Sequence, residues 1–439
     1  MDTTDLKHIV EQVLSLAESS GATAAEADIG SGSGLSITVR MGDIETIEHQ
    51  RDKSLAVTVY LGGRKGSAST TDFSNEALRN TVKAAMTIAE YASEDGCAGL
   101  LDPRYLARDI PDLDLFHPWD ISPKRAAELA VACEKQARDC DIRITNADGT
   151  VVNTYSGGHA YGNSQGFIGG WNWSSHTIDC TVIAKENGQM QRDGWYSRSR
   201  DNADLEDIAA IGREAARRTV SRLGARKLST RTVPVVYEAP VATGLFSSFI
   251  SAISGSALYR KSTFLLDKKG KPVFPANFHI REEPHLPKGM GSAPFDNDGM
   301  ATRAKDLISD GILQDYVLSA YSARKLGLPP TGNAGGVHNL VVRHGDQDLI
   351  QLLKTMNTGL LITDMIGFGV NQVTGDYSRG AAGFWVENGE ICYPVEEITV
   401  AGNLAEMYKD IIAVGNDVDP RGNIRTGSVL IEKMTVAGE

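Results

Sequence analysis

The chain has 439 residues, of which 41% are hydrophobic and 23% are charged. This ordinary balance, over a length of about two or three average domains, excludes a largely disordered chain and a small fold that depends on disulfides or a structural metal. The formal net charge of −12 argues against a broad nucleic-acid-binding surface, because such a surface needs a clustered basic face.

Cysteine usage and the absence of targeting signals predict the compartment. The five cysteines are odd in number and form no CxxC pair, which is typical of free thiols in a reducing compartment. Residues 1–6 contain neither the basic segment nor the apolar core of a secretory signal peptide. The uncharged stretch 239–259 is as long as a membrane span, but it holds five serines and two glycines. We therefore expect a cytoplasmic protein without a membrane helix.

The first half of the chain shows one pattern twice. Apolar spacing predicts a helix over residues 4–19, four strands between residues 35 and 70, and a helix from Ser74 to about Tyr91. A connector punctuated by proline leads to a second helix that begins at Ser122 and Pro123. Further strands follow, and a helix over about 203–223 ends this unit. The repeat predicts an N-terminal α+β domain over 1–225, with units at 1–100 and 120–225.

The second half, residues 226–439, is rich in glycine and in predicted strands, and it begins with a basic stretch at 226–231. Its clearest hairpin joins 383–387 to 390–395 through Asn388-Gly389, a pair that suits a type I′ turn. Asn403 followed by Glu406 predicts a helix to about Val414. A last strand is predicted over 428–436. We expect a second, strand-rich domain over this half.

The histidines do not predict a zinc site. None of the nine pairs with another at the spacing of one helix turn, and no HExxH motif is present. His279 and His285 are six residues apart, and Pro284 prevents a continuous helix between them. His338 and His344 flank a predicted strand and would lie about 20 Å apart along it, too far to share one ion.

One helix is predicted to have two different faces. Leu245, Phe249, Ile253 and Ala257 form an apolar stripe with helical spacing. A second face carries only small side chains, which allow another backbone to approach closely; its residues are Ser248, Ser251, Ala252 and Gly255. Two interpretations stay open: a helix beside a cleft or subunit contact, and an ordinary buried helix.

The segment 375–380 is a candidate for ligand contact. Two glycines bracket a predicted turn that carries Asp376, Tyr377 and Arg379. The planar guanidinium of arginine suits a peptide carboxylate or main-chain carbonyls. Alternatively, Arg379 pairs locally with Asp376 and only stabilises the turn.

Two long motifs identify a family. Residues 322–339 (SARKLGLPPTGNAGGVHN) and 375–404, which begin GDYSRGAAGFWVENGE, resemble the PmbA (TldE) branch of the TldD/PmbA proteins. The similarity extends over nearly the whole chain. The family is classed as metallopeptidases and is also named for modulation of DNA gyrase. The resemblance implies an α+β fold, in which an N-terminal α+β region precedes a C-terminal antiparallel, barrel- or sandwich-like β domain. Asn333, inside the first motif, joins Asp376, Tyr377 and Arg379 as a candidate peptide-contacting residue.

The resemblance also implies that this chain lacks the family's zinc ligands. In the TldD branch, a helix carries HExxxH and a cysteine near the C-terminus completes the site. The two histidines would fall at about Ser248 and Ile253 here, and the glutamate at about Phe249. No cysteine follows Cys392. No catalytic or metal-binding residue can therefore be assigned, and zinc is expected in a TldD-type partner instead.

The expected function is that of a non-catalytic subunit that pairs with a TldD-type chain and helps to enclose a peptide-cleaving chamber. The family is linked to small or unfolded peptides, such as peptide-antibiotic precursors, and to turnover of unstable antitoxins. One alternative is a self-sufficient metallopeptidase homodimer whose ligands are distant in sequence. Another is a non-proteolytic modulator of gyrase, although the −12 charge argues against direct contact with nucleic acid.

Overall fold

The computed structural model describes residues 2–438. Its first sheet has six antiparallel strands in the order β3-β2-β1-β4-β5-β6. These strands are β1 (Ala24–Arg40), β2 (Asp43–Leu61), β3 (Arg64–Thr70), β4 (Ile144–Asn163), β5 (Ile168–Glu186) and β6 (Gln189–Ser199). The accompanying helices are α1 (Thr3–Ser19), α2 (Asn75–Tyr91), α3 (Pro123–Cys140) and α4 (Ile208–Ser221). Because β1 pairs with β4, the two predicted helix–strand–helix units share one continuous sheet.

Two of these helices begin at the capping residues that their sequences indicate. The Ser74 hydroxyl accepts the Ala77 amide at the start of α2, and the Ser122 hydroxyl accepts the Arg125 amide at the start of α3. The predicted start of α4 near residue 203 is wrong by about one turn. Asp207 caps that helix through the amides of the second and third residues of α4, and a separate 3-10 turn precedes it.

All four helices cover the same face of the first sheet. On β1, Ala27 and Ile29 belong to the core beneath α1 and α2, whereas Ile37 and Val39 belong to the core beneath α3 and α4. All four positions are odd-numbered, and alternate residues of a strand point to one face. The opposite face is free of these helices and meets the second half of the chain, where the Trp171 ring of β5 lies 5.0 Å from that of Phe295.

The second half of the chain forms two sheets, with strand orders β10-β9-β8-β11-β16 and β14-β13-β12-β7-β17-β15. Strand β14 also pairs with β17, so that β7, β12, β13, β14 and β17 close into a barrel. The strands are β7 (Arg231–Tyr237), β8 (Ile280–Glu282), β9 (Lys305–Ser309), β10 (Ile312–Leu313), β11 (Leu340–Val342), β12 (Gly359–Ile366), β13 (Asp376–Glu387), β14 (Glu390–Asn403), β15 (Ile411–Val414), β16 (Ile424–Arg425) and β17 (Val429–Ala437). The pairings are antiparallel except β7 with β12 and β11 with β16. The predicted α+β class is confirmed, while the division at residue 226 stays a prediction.

The helices of the second half are α5 (Ala239–Ala252), α6 (Gly255–Tyr259), α7 (Ala320–Leu326), α8 (Leu349–Met356) and α9 (Leu404–Met407). Helix α5 contributes Phe249 to an aromatic core, where its ring lies 5.2 Å from Phe274 and 6.0 Å from Tyr408. Burial of each such ring stabilises the fold by about 1.5–3 kcal/mol. Within residues 2–438, no helix combines the length and the apolar character that crossing a membrane requires.

The predicted helix from Asn403 to Val414 is wrong. Asn403 caps a single turn, α9, and the chain then continues as β15. Ile411 and Val414 pair with Ile431 and Val429 of β17, the last strand. The capping signal therefore starts a helix, but pairing with a strand that is distant in sequence ends it after one turn.

Carboxylates with raised pKa lie on both sides of the junction between the first sheet and the second half of the chain. Glu26 of β1 accepts hydrogen bonds from the Tyr60 and Tyr161 hydroxyls at 2.8 and 2.9 Å, and burial raises its pKa. Across the junction, Asp296 accepts the amides of Met300 and Ala334, both at 2.9 Å. Burial and the neighbouring charge of Asp298 raise the pKa of Asp296 to about 7. The junction thus contains carboxyl groups that favour the protonated form.

This raised pKa predicts a pH-dependent contribution to stability. A carboxyl group whose pKa is higher in the folded state stabilises the fold below its unfolded pKa, and this contribution is lost as pH rises through the folded value. Between pH 6 and pH 8, we expect the free energy of unfolding of the native chain, relative to Asp296→Asn, to fall by about 1 kcal/mol. Chemical denaturation at both pH values measures this, with the exposed Asp306→Asn as control. An equal difference at both pH values would contradict the prediction.

Candidate functional site

The helix predicted across 244–257 is interrupted. Helix α5 ends at Ala252 and α6 begins at Gly255, with Ser254 as its cap. Between them, the Gly255 amide donates to the Val317 carbonyl, and the Val317 amide donates to the Ile253 carbonyl. A continuous helix would use these backbone groups internally, so pairing with residue 317 explains why the prediction of one helix is wrong.

The four small residues therefore lie in different surroundings. Ala252 is fully buried, and Gly255 lies so close to α7 that an added Cβ would be 2.2 Å from the Ser322 hydroxyl oxygen. Ser248 is half-buried and its hydroxyl donates to the Gly244 carbonyl. Ser251 is exposed and bonds to its own helix in the same way. The close approach at Gly255 is a contact within the chain.

Residues 376–380 belong to a strand, so the predicted turn is wrong. Strand β13 begins at Asp376, because pairing with β14 extends to Asp376↔Asn403. Asp376 and Arg379 are three residues apart on this strand and point to opposite faces. Asp376 accepts from Thr374 and Asn403, whereas the Arg379 Nε donates to the Gly367 carbonyl at 3.1 Å. The alternative of a local Asp376–Arg379 pair is therefore not what the structure contains.

Arg379 and α5 are nevertheless close together. An added Cβ at Gly244 of α5 would lie 3.8 Å from the Arg379 Nη1. Arg379 is half-buried, and Tyr377, two residues earlier on the same face of β13, is buried with its pKa raised by that burial. The structure thus brings two of the predicted groups to one place, the side of α5 that faces β13.

Asn333 lies in a different place and is held inside a polar network. Its side-chain amide donates to Glu282 at 2.8 Å, and Glu282 forms a 3.0 Å ion pair with Lys305. Glu282 also accepts the backbone amide of His338 at 2.8 Å. Asn333 is only 3% exposed. It anchors the glycine-rich loop 331–338 from below, and the loop rather than the Asn333 side chain reaches the surface.

That loop forms one wall of a cleft of about 490 Å³ between the first sheet and the second half of the chain. The other wall is the helix-free face of the first sheet. The lining side chains from the sheet and its end are His159, Trp171, Trp173, Ser175, Arg198 and Arg200, and the opposite wall comprises residues 290–293, Phe295, Asn297 and 334–338. Sequence reasoning missed this cleft. The sequence did contain a signal for it, because side chains two residues apart on a strand point to the same face. Trp171 and Trp173 have this spacing on β5, and Arg198 and Arg200 have it at the end of β6.

The cleft is positively charged. Its lining contains two arginines and two histidines and no aspartate or glutamate. Arg200 is 8% exposed and joins the two walls, because its two terminal nitrogens donate to the Ser174 carbonyl at 3.0 Å and the Met290 carbonyl at 2.8 Å. Burial, together with the charge of Arg198, lowers the pKa of Arg200 to about 10. Burial also lowers the pKa of His338, which favours its neutral form.

Comparison with known proteins decides the family. Models of the PmbA/TldA metallopeptidase domains match this chain over residues 25–89 (domain 1), 116–223 (central domain) and 230–438 (C-terminal domain). Metalloprotease PmbA of Escherichia coli O157:H7 is 49% identical over 99% of this chain and 96% of its own length. The chain belongs to the PmbA/TldD family. A PmbA homolog of Haemophilus influenzae is 46% identical over the same shares of both chains. The resemblance found in the sequence motifs is confirmed.

Solved structures have the same fold. A Bacteroides thetaiotaomicron protein named for modulation of DNA gyrase has a TM-score of 0.94 and 29% identity, covering all of both chains. TldE of Thermococcus kodakarensis has a TM-score of 0.86 and 21% identity, covering 98% of this chain and all of its own. The latter similarity concerns the fold alone.

The family's zinc chemistry does not fit the residues on α5. Ser248 bonds to its own helix, Phe249 packs against Phe274, and Ile253 is fully buried. A zinc ion needs nitrogen, sulfur or carboxylate ligands, which Phe249 and Ile253 lack. Within residues 2–438, no three histidine, cysteine, aspartate or glutamate side chains are arranged to hold a metal ion. No reaction step through zinc can be assigned to these positions.

The contact between α6 and α7 generates a stability prediction. Gly255→Leu places a branched side chain where even a Cβ would overlap Ser322, so we expect a loss of about 1–3 kcal/mol in the free energy of unfolding. Ser251→Leu, on the exposed side of α5, is the control and should change that energy by less than about 0.5 kcal/mol. Denaturant titration of both variants measures the difference. Equal stability of Gly255→Leu and the native chain would show that the helices do not pack as described.

Proposed function

We propose that this chain is the non-catalytic subunit of a cytoplasmic, two-component zinc metallopeptidase that acts on small or unfolded peptides, with zinc held by a TldD-type partner. One observation carries the proposal. The resemblance places the HExxxH motif of the TldD branch at about Ser248, Phe249 and Ile253, and the last two are fully buried in the core. Membership in a metallopeptidase family, combined with core residues at those positions, supports a structural role for this subunit.

The peptide-contacting role is proposed for the side of α5 that faces β13. Arg379 lies beside Gly244 there and remains partly exposed. Its guanidinium can donate to main-chain carbonyls or to a carboxylate of a bound peptide. Since the resemblance places the family's HExxxH motif on α5, this surface would correspond to the zinc-bearing surface of a TldD-type partner. We therefore propose that Arg379 helps to position peptide for cleavage by the partner's zinc, while Asp376 and Asn403 hold the start of β13.

The proposal is tested by measuring zinc content and peptide cleavage together. We expect the isolated chain to contain much less than one zinc ion and to leave an unstructured peptide intact after dialysis. Mixed with a TldD homologue from the same organism, it should form a complex with about one zinc ion per pair that cleaves the peptide. A partner whose HExxxH glutamate is replaced by glutamine is the control, since that complex should form and not cleave.

Two results would overturn the proposal. Close to one zinc ion in the isolated chain, with cleavage, would indicate a self-sufficient peptidase. Full cleavage by the TldD homologue alone, with no change on adding this chain, would remove its role as a subunit.

Arg379 provides a separate prediction. In the partnered complex, Arg379→Ala should lower peptide cleavage about tenfold, because a charge-assisted hydrogen bond to the peptide is lost. The melting temperature should stay nearly unchanged, because the hydrogen bond from Arg379 to the Gly367 carbonyl lies at a partly exposed position. Arg343→Ala, which removes an exposed arginine of the same domain, is the control. Unchanged cleavage by Arg379→Ala would rule out the ligand role.

A further inference from the structure

The cleft between the first sheet and the second half of the chain contains a buried cation, Arg200, that has no counter-ion within residues 2–438. Among residues 2–438, no carboxylate forms an ion pair with Arg200, whose terminal nitrogens bond to two carbonyls. Its Nε is buried and has no hydrogen-bond partner in the same part of the chain. A buried charge without a partner of opposite sign is costly. In a chain with 56 acidic and 44 basic residues, this arrangement needs an explanation.

Arg198 adds a second positive charge to the cleft. It is exposed, lines the same cleft and acts on Arg200 as a like charge. Its Nε donates to the Ser175 hydroxyl at 3.2 Å, which orients the guanidinium. Within residues 2–438, its two terminal nitrogens have no hydrogen-bond or ion-pair partner. A guanidinium with both terminal nitrogens free is suited to a carboxylate, which it binds through two parallel hydrogen bonds.

Acidic groups near the cleft are already engaged. Asp28 accepts a hydrogen bond from His159 at 2.8 Å, and Glu282 is paired with Lys305 below the glycine-rich loop. Neither carboxylate neutralises the two arginines. The positive charge therefore remains available to an anionic ligand that enters the cleft.

The remaining lining is aromatic. The Trp171 and Phe295 rings meet edge to face at 5.0 Å, and His159 lies 4.7 Å from Trp171. Trp173 stacks on Tyr155 at 5.5 Å and lies under the Arg200 guanidinium at 5.8 Å. The half-buried rings of Trp171 and Trp173 provide apolar surface that an aromatic or aliphatic side chain can cover, whereas Phe295 is only 1% exposed and supports Trp171 from inside the protein.

The opposite wall offers main-chain donors. Gly335 is exposed with a φ of 97°, and an added Cβ would lie 2.6 Å from the Asn297 side chain. Within the described chain, neither its amide nor that of Val337 donates a hydrogen bond. Asp296 and Glu282 hold the loop on both sides of Gly335, through the amides of Ala334 and His338. A rigid loop with free amides can pair with the carbonyls of an extended peptide.

We propose that the cleft between the first sheet and the second half of the chain binds a peptide through a carboxylate, which pairs with Arg198 beside Arg200, while a neighbouring apolar side chain of the peptide covers Trp171 and Trp173. The cleft is thus a recognition site of this subunit, separate from the surface around Arg379. It selects peptides that present a free C-terminus or an acidic side chain next to an apolar residue. This inference rests on the proposed function for the role of the peptide as a substrate, but its test requires neither zinc nor cleavage.

The test is binding of defined peptides to the full chain, measured by isothermal titration calorimetry. The probes are acetyl-Ala-Ala-Phe-Ala with a free C-terminal carboxylate, the same peptide as its C-terminal amide, and acetyl-Ala-Asp-Phe-Ala amide. We expect the first peptide to bind at least about tenfold more tightly than its amide, because the amide cannot form the charged pair. Tight binding of the third peptide would identify an acidic side chain as a source of the carboxylate, and weak binding would identify the C-terminus.

Variants locate the carboxylate in the cleft. Arg198→Gln should weaken binding of the free-carboxylate peptide about tenfold and leave binding of the amide unchanged. Arg192→Gln removes an exposed arginine from the same strand, one that pairs with Asp148, and should bind both peptides like the native chain. Trp171→Ala should weaken the binding of both peptides, because it removes part of the apolar surface of the cleft. Thermal melting of each variant verifies that the fold is retained.

Three results would overturn the inference: equal affinity for the acid and the amide, no detectable binding of either carboxylate peptide at millimolar concentration, or unchanged affinity in Arg198→Gln. Different results overturn the two proposals. If no peptide binds in the cleft but the partnered complex cleaves normally, only the proposal for the cleft is overturned. If the carboxylate peptides bind but the partnered complex does not cleave, only the proposed function is overturned.

Discussion

The two-residue repeat of side chains along β1, β4 and β5 determines where every other part of this molecule lies. One face of the sheet carries small and aliphatic residues such as Ile37 and Cys180, and four helices bury it. The other face carries Glu26, His159, Trp171 and other large or polar residues, which helices do not cover. That face has to be covered by the second half of the chain, and incomplete coverage leaves the cleft. The site is therefore a consequence of sheet alternation.

Polar contacts, together with aromatic packing such as that of Trp171 on Phe295, hold the two halves of the chain together. Arg200 joins Ser174 to Met290, and Arg421 pairs with Asp419 while its other terminal nitrogen donates to the Tyr196 carbonyl. Arg218 forms a two-bond pair with Glu238 at the junction of α4 and α5. Such contacts are directional, so they fix the relative position of the halves more narrowly than apolar packing does. A cleft lined by both halves can then keep one shape.

Helix α5 shows how one fold supports different chemistry. A family model for the metallopeptidase C-terminal domain covers this helix, yet its inner side chains are phenylalanine, alanine and leucine within an aromatic core. Side chains of these types offer no ligand to a metal ion. The surface around the helix and the cleft between the halves are formed in part by loops, which can differ in chemistry while the fold stays the same.

Local patterns in the sequence determined the α+β class, the first helices with their serine caps, the hairpin at Asn388-Gly389 and, through two motifs, the family. Those features depend on neighbours within a few residues, so a one-dimensional pattern contains them. Tertiary structure alone decided that residues 376–380 form a strand and that β15 replaces most of a predicted helix. It likewise decided that the helix predicted across 244–257 is interrupted at Ile253, where the backbone pairs with Val317. It also decided that Asn333 supports a loop and that Arg198, Trp171 and Gly335 share a cleft. In each case the partner is distant in sequence, and its hydrogen bonds or charge outweigh the local preference.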